Sequence, residues 1–215
     1  MSEFPDFSSP ITLIGQRQSI NTQKVALMMA MTQTPFKFSS INIMKDEHKT
    51  DGYESINPFG RIPTFIQGDL VLFQSGLILR YLAKRTGKFG YQSEKEEYEV
   101  ENWYGFAYDY FSFGLARIRY INRFQGGIPQ DLKDFFKPNT LRGMNLLESH
   151  LANKLWLALD RPSLAEFYCH PMVAVWRDAD IMLSDYPATN AWFQRFQNIQ
   201  GWVEQEKLLE SMENN

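Results

Sequence analysis

Two short polar clusters in this chain are spaced to hold an anion and to tune a nucleophile. Gln74 and Ser75 stand directly after Val71–Phe73, an apolar run, and directly before Ile78, Tyr81 and Leu82, which recur at helical spacing. A hydroxyl at the start of a helix, beside the open backbone amides of the first turn, suits a carboxylate. Upstream, Ser19 and Asn21 precede Val25, Met28, Met29 and Thr32, again at helical spacing. A hydroxyl donor at that helix start can stabilise a thiolate, which the helix terminus also favours. Between the two clusters, His48, Lys49 and Arg61 supply positive or donor groups. Taken singly, Ser19 and Ser75 read as helix caps and His48-Lys49 as a solvated loop. In combination they suggest a seat for a small acidic peptide.

The elements that must position these residues follow from the pattern. Ile11 to Ile14 reads as a buried strand ended by Gly15, with a loop over Gln16 to Ile20. Pro35 stops the helix after it, and Phe36 to Ile43 alternates like a second strand, followed by a polar loop or weak helix over Met44 to Ser55. Thr64–Ile66 and Val71–Phe73 make a hairpin across Gly68-Asp69. The order strand, helix, strand, strand, strand, helix predicts an α/β domain over residues 1–86. Gly87 to Tyr91 reads as a linker, and residues 94–215 as an all-α domain. There Glu94 to Ile121 is one long helical stretch bent near Gly105 or Gly114, broken by Gly126-Gly127 and Pro129. A helix over Thr140 to Leu151, a capping box at Ser163–Glu166, a kink at Pro171 and a helix over Asn190 to Ile199 complete it.

Bulk properties narrow the function classes. At 215 residues, 44% hydrophobic and 22% charged, the composition is that of a globular protein with a sizeable core. A net charge of −3 leaves no basic surplus for nucleic acid. No apolar run reaches the length of a membrane span and the first residues lack a signal-peptide layout, so a cytoplasmic protein is expected. Cys169 is the only cysteine, which excludes an intrachain disulfide and a CxxC pair. His48, His150 and His170 have no metal-ligand spacing, so no metal is expected.

Strand–loop–SxNxxKV–helix, then His48-Lys49, NPFGRIP, Gln74-Ser75 and the SLAE capping box resemble the cytosolic glutathione S-transferases over nearly the whole chain, most closely the phi-like and bacterial types with an active-site serine. The resemblance implies a thioredoxin-like domain, a mixed sheet with flanking helices, followed by an all-α domain, with glutathione as co-substrate, as a homodimer. It implies that Ser19 donates to the glutathione sulfur and that His48, Lys49 and Arg61 hold the glycine carboxylate. Ile62, with a cis bond to Pro63, would pair its backbone with the cysteinyl part, while Gln74 and Ser75 grip the γ-glutamyl end. Phi-type proteins usually carry Glu-Ser where this chain has Gln74-Ser75, so one charge-assisted contact to the ligand's ammonium is missing.

Magnitudes bound what Ser19 can contribute. Lowering a thiol pKa from about 8.5 to about 6.5 raises the thiolate fraction at pH 7 roughly 25-fold. The same shift weakens each thiolate roughly 8- to 10-fold, so the net gain is a few-fold. Positioning of the electrophile must supply the rest. An apolar pocket for it is expected between the domains, with Tyr104, Tyr108, Phe111 and Leu115 on one helical stripe and Tyr108 or Phe111 reaching it; core packing is the alternative for such a stripe. Cys169 and His170 read as structural. The expected function is conjugation of glutathione to a hydrophobic electrophile. Peroxide reduction at the same site, or a non-catalytic binding module of the same fold, are the alternatives.

Overall fold

A computed structural model describes residues 9–213. The chain divides into two compact units, one running to Thr86 and joined by the segment from Gln200, the other Gly87–Ile199.

In the first unit, β1 (Ile11–Gly15), β2 (Lys37–Ser40), β3 (Thr64–Gln67) and β4 (Leu70–Phe73) form a mixed sheet in the order β2-β1-β3-β4. The β1–β2 pair is parallel, and the β1–β3 and β3–β4 pairs are antiparallel. The parallel pair needs a crossover, and α1 (Ile20–Thr32) supplies it. Val25, Met28 and Met29 on α1 are fully buried, because the helix packs against β1, α3 (Ser75–Thr86) and a C-terminal helix. Gly15 permits this approach: a Cβ there would stand 2.7 Å from Thr22 Cγ2. The start of α1, and Ser19 with it, is thereby drawn against the end of β1.

The second strand is shorter than its alternating pattern suggested. Pairing ends at Ser40, after which the Asn42 side chain accepts from the Met44 amide and folds the chain into turns. Those turns lead to α2 (Asp51–Glu54).

The second unit is helical: α4 (Glu94–Phe106), α5 (Leu115–Phe124), α6 (Gln130–Leu151), α7 (Leu164–Val173) and α8 (Pro187–Gln197). The long stretch expected from Glu94 is interrupted by a π turn over Ala107–Ser112 and a break at Gly114, whose ψ of −92° is not helical. Helix α6 begins ten residues before Thr140 and runs through Pro138, anchored by buried Phe136 and Met144. The capping box forms as expected: Ser163 Oγ accepts from the Ala165 amide, and Glu166 accepts from the Ser163 amide at 2.7 Å.

A last helix, α9 (Gln205–Glu213), has no counterpart in the sequence reading. Its Leu209 is fully buried, it packs on α1 and β2, and Arg17 pairs with Glu210 at 2.9 Å. The C-terminal segment therefore belongs to the first unit rather than to the helical domain expected over 94–215.

Candidate functional site

Helix starts carry two of the site's elements. Ser19 is the N-cap of α1, half-buried, and its Oγ accepts from the Thr22 amide at a long 3.4 Å. That bond occupies a lone pair and leaves the hydroxyl hydrogen to donate elsewhere. At α3 the Gln74 carbonyl accepts from the Leu77 and Ile78 amides, so Gln74 occupies the cap position with its own backbone at φ 80°. A non-glycine residue in that region is strained by about 1–2 kcal/mol, and such strain concentrates where a site demands it. The two starts are tied together: Ser75 Oγ donates to Asn21 Oδ1 at 3.3 Å.

The loop before β3 is fixed from beneath. Tyr53 Oη and Asn57 Nδ2 both donate to the Arg61 carbonyl, at 2.6 and 2.7 Å, and Asn57 also donates to Thr64 Oγ1 at 2.9 Å. Asn57 is fully buried and Tyr53 nearly so, so these bonds are shielded from water. They brace the segment containing the cis Ile62-Pro63 bond and leave the Arg61 side chain at the surface. Sequence reasoning included Asn57 only as part of a motif and missed Tyr53, since nothing in its spacing marks a brace reaching eight residues ahead.

His48 and Lys49 lie in the turn before α2. Burial chiefly, aided by the charge of Lys49 and of Arg61, pulls the His48 pKa below the ordinary histidine value, so its ring is neutral at pH 7. Its Nδ1 is buried with no hydrogen-bond partner among the described residues. Lys49 pairs with Asp46 at 2.8 Å in an exposed position and holds that carboxyl below its usual range. Positive charge in this turn therefore comes from Lys49, with His48 contributing a neutral hydrogen-bonding ring.

The aromatic stripe of the helical unit does not stay on one face. Tyr108 is 65% exposed, whereas Phe111 is fully buried and meets the Phe106 ring edge-on at 5.4 Å. Phe111 is thus a core residue and cannot line an open pocket, because the π turn rotates it away from Tyr108. Tyr104 is half-buried, edge-on to Tyr168 at 5.1 Å. Cys169 is buried, and His170 stacks on Phe193 at 4.2 Å. Among the described residues there is no cluster of His, Cys, Asp and Glu able to hold a metal ion, and no helix long and apolar enough to cross a membrane.

Residues 9–84 match the family described as glutathione S-transferase, N-terminal domain, and residues 92–200 match glutathione S-transferase, C-terminal domain. The chain is 25% identical over 188 residues to disulfide-bond oxidoreductase YfcG of Escherichia coli K12, covering 83% of this chain and 86% of that protein. It is 26% identical over 204 residues to glutathione S-transferase 1 of Triticum aestivum, covering 86% of this chain and 89% of the other. A crystal structure of glutathione S-transferase from Pseudomonas fluorescens Pf-5 shares the fold, with TM-score 0.86 at 24% identity over 92% of this chain and 99% of that one.

Proposed function

This chain belongs to the glutathione S-transferase family, and from that premise we propose that it binds glutathione and conjugates it to an apolar electrophile, with Ser19 stabilising the reacting thiolate. The observation that carries the reading is Ser19 at the head of α1, its hydroxyl hydrogen uncommitted to any acceptor among the described residues. It supports a serine-type reading of the site, as the resemblance of its motifs to phi-like members suggests.

Each end of the tripeptide finds suitable chemistry. The γ-glutamyl carboxylate meets the first amides of α3, and the Ser75 hydroxyl exchanges its long bond to Asn21 for a shorter, charge-assisted one. Gln74 presents its side-chain carbonyl to the ligand's ammonium, and the Ile62 backbone pairs with the cysteinyl unit. The glycine carboxylate draws Lys49 from Asp46, with Arg61 as second cation and the neutral His48 ring as a hydrogen-bonding partner.

The thiol releases its proton to solvent, and Ser19 Oγ–H donates to the thiolate. The sulfur's electron pair forms the new C–S bond as the acceptor's leaving group departs with its own pair. Tyr104 and Tyr108 offer aromatic surface to the acceptor. Retention on immobilised glutathione, followed by turnover of an aryl halide, tests this reading. Binding without turnover across several classes of electrophile would leave a non-catalytic module of the same fold.

A further inference from the structure

The π turn over Ala107–Ser112 has an unusual support. At its end the Phe113 amide donates to the Tyr108 carbonyl, five residues back, at 3.4 Å. In an α-helix that amide would go to Asp109. The Asp109 carbonyl accepts instead from Asn139 Nδ2 on α6, at 2.6 Å. Asn139 thus satisfies a carbonyl that the wider turn leaves open, the kind of insertion that keeps a distorted helix in one register. Four residues on, at Gly143, α6 comes so close that a Cβ would stand 2.6 Å from Tyr110 Cβ. The π turn is therefore held from one side by the close packing of Gly143 on the Tyr110 side chain and by one polar clamp. Its consequence is the split between exposed Tyr108 and its buried neighbours, Ala107 at 4% and Phe111 at 0% exposure. The Tyr108 hydroxyl makes no hydrogen bond within the protein among the described residues, so its direction depends on the backbone that carries it.

We propose that Asn139 is a positioning residue for the electrophile: its amide locks the π turn and so holds Tyr108 exposed for the acceptor substrate. This rests on the reading of Tyr108 as a contact for that substrate. A relaxed turn rewound as α-helix would change the angle between Tyr108 and the side chains that follow the turn by about 100°.

The test is a double-mutant cycle with an aryl halide as acceptor, read together with hydrogen exchange of the amides of residues 112–116. Asn139→Leu removes the donor at similar volume, and Asn139→Asp keeps the shape but exchanges the donor for an acceptor. Each is expected to speed exchange in that segment and to raise the acceptor's KM about 3- to 10-fold, with glutathione affinity unchanged. In a Tyr108→Ala background the KM effect should vanish. An equal KM rise in both backgrounds, or unchanged exchange, would overturn the proposal. If Tyr108→Ala alone leaves the acceptor's KM unaltered while Asn139→Leu still speeds exchange, the pocket reading has failed and takes the positioning role with it, although the clamp itself stands.

Discussion

The residues of the first unit divide between those that would touch glutathione and those that hold them. Ser19, Gln74 and Ser75 sit at helix starts; Asn21 holds the Ser75 hydroxyl, and Tyr53 and Asn57 brace the backbone at Arg61. Gln74 shows the tension between these duties, because its φ of 80° is costly for a residue with a Cβ. Gln74→Gly should stabilise the fold by about 1 kcal/mol in urea titration while weakening glutathione binding. A stability loss instead would mean that the side chain holds α3 and that strain is a minor matter. Gln74→Glu should tighten glutathione about fivefold in calorimetry if the ligand's ammonium lacks a charged partner, and a neutral result would remove that idea. Ser19 was legible in the sequence, since an N-cap has narrow chemistry and lies next to the periodicity it begins; at α3 the cap is Gln74, one residue before the serine that reads as one. The Tyr53–Asn57 brace was not, because a backbone carbonyl as partner leaves no mark on residue types.

Elements were legible where a period ran undisturbed. The hairpin across Gly68-Asp69, α1 and α3 follow from apolar spacing and turn chemistry. The stripe from Tyr104 to Leu115 misled because spacings of three and four define one face only if every turn is α-helical. The π turn breaks that condition, and no residue in Ala107–Ser112 announces it. Its determinants lie on α6, at Asn139 and Gly143, some thirty residues away in the sequence. Gly143→Ala tests how tightly this contact is built. A mid-helix alanine alone would stabilise by about 1 kcal/mol, so the contact must cost more than that to reverse the sign. We expect a net loss of about 1–3 kcal/mol in thermal or urea unfolding, from the clash with Tyr110 and Phe111. A gain would show that the helices part freely there.

At the scale of the whole molecule, α9 was missed as part of the first unit because its few apolar residues fit any amphipathic helix and do not name a partner. Its place is set by buried Leu209 and by the Arg17–Glu210 pair. In the helical unit, buried His170 is a source of pH-dependent stability. Burial lowers its pKa to about 3, well below its value in an unfolded chain. Between about pH 6.5 and about pH 3 the unfolded state therefore binds the extra proton, and stability falls as pH falls, by at most about 1.4 kcal/mol per pH unit. Above about pH 6.5 the contribution is fully present. Unfolding midpoints measured from pH 4 to pH 7 should show a shallower slope for His170→Leu than for the parent chain. Parallel slopes would mean that His170 gains water or a partner as the pH drops.

The central claim, that Ser19 tunes the sulfur, is tested most directly by the ultraviolet absorbance of glutathione thiolate bound to the protein, followed against pH. In Ser19→Ala the midpoint should move up by about one to two pH units while glutathione affinity stays nearly intact. An unchanged midpoint with intact binding would contradict the account and leave Ser19 as a helix cap.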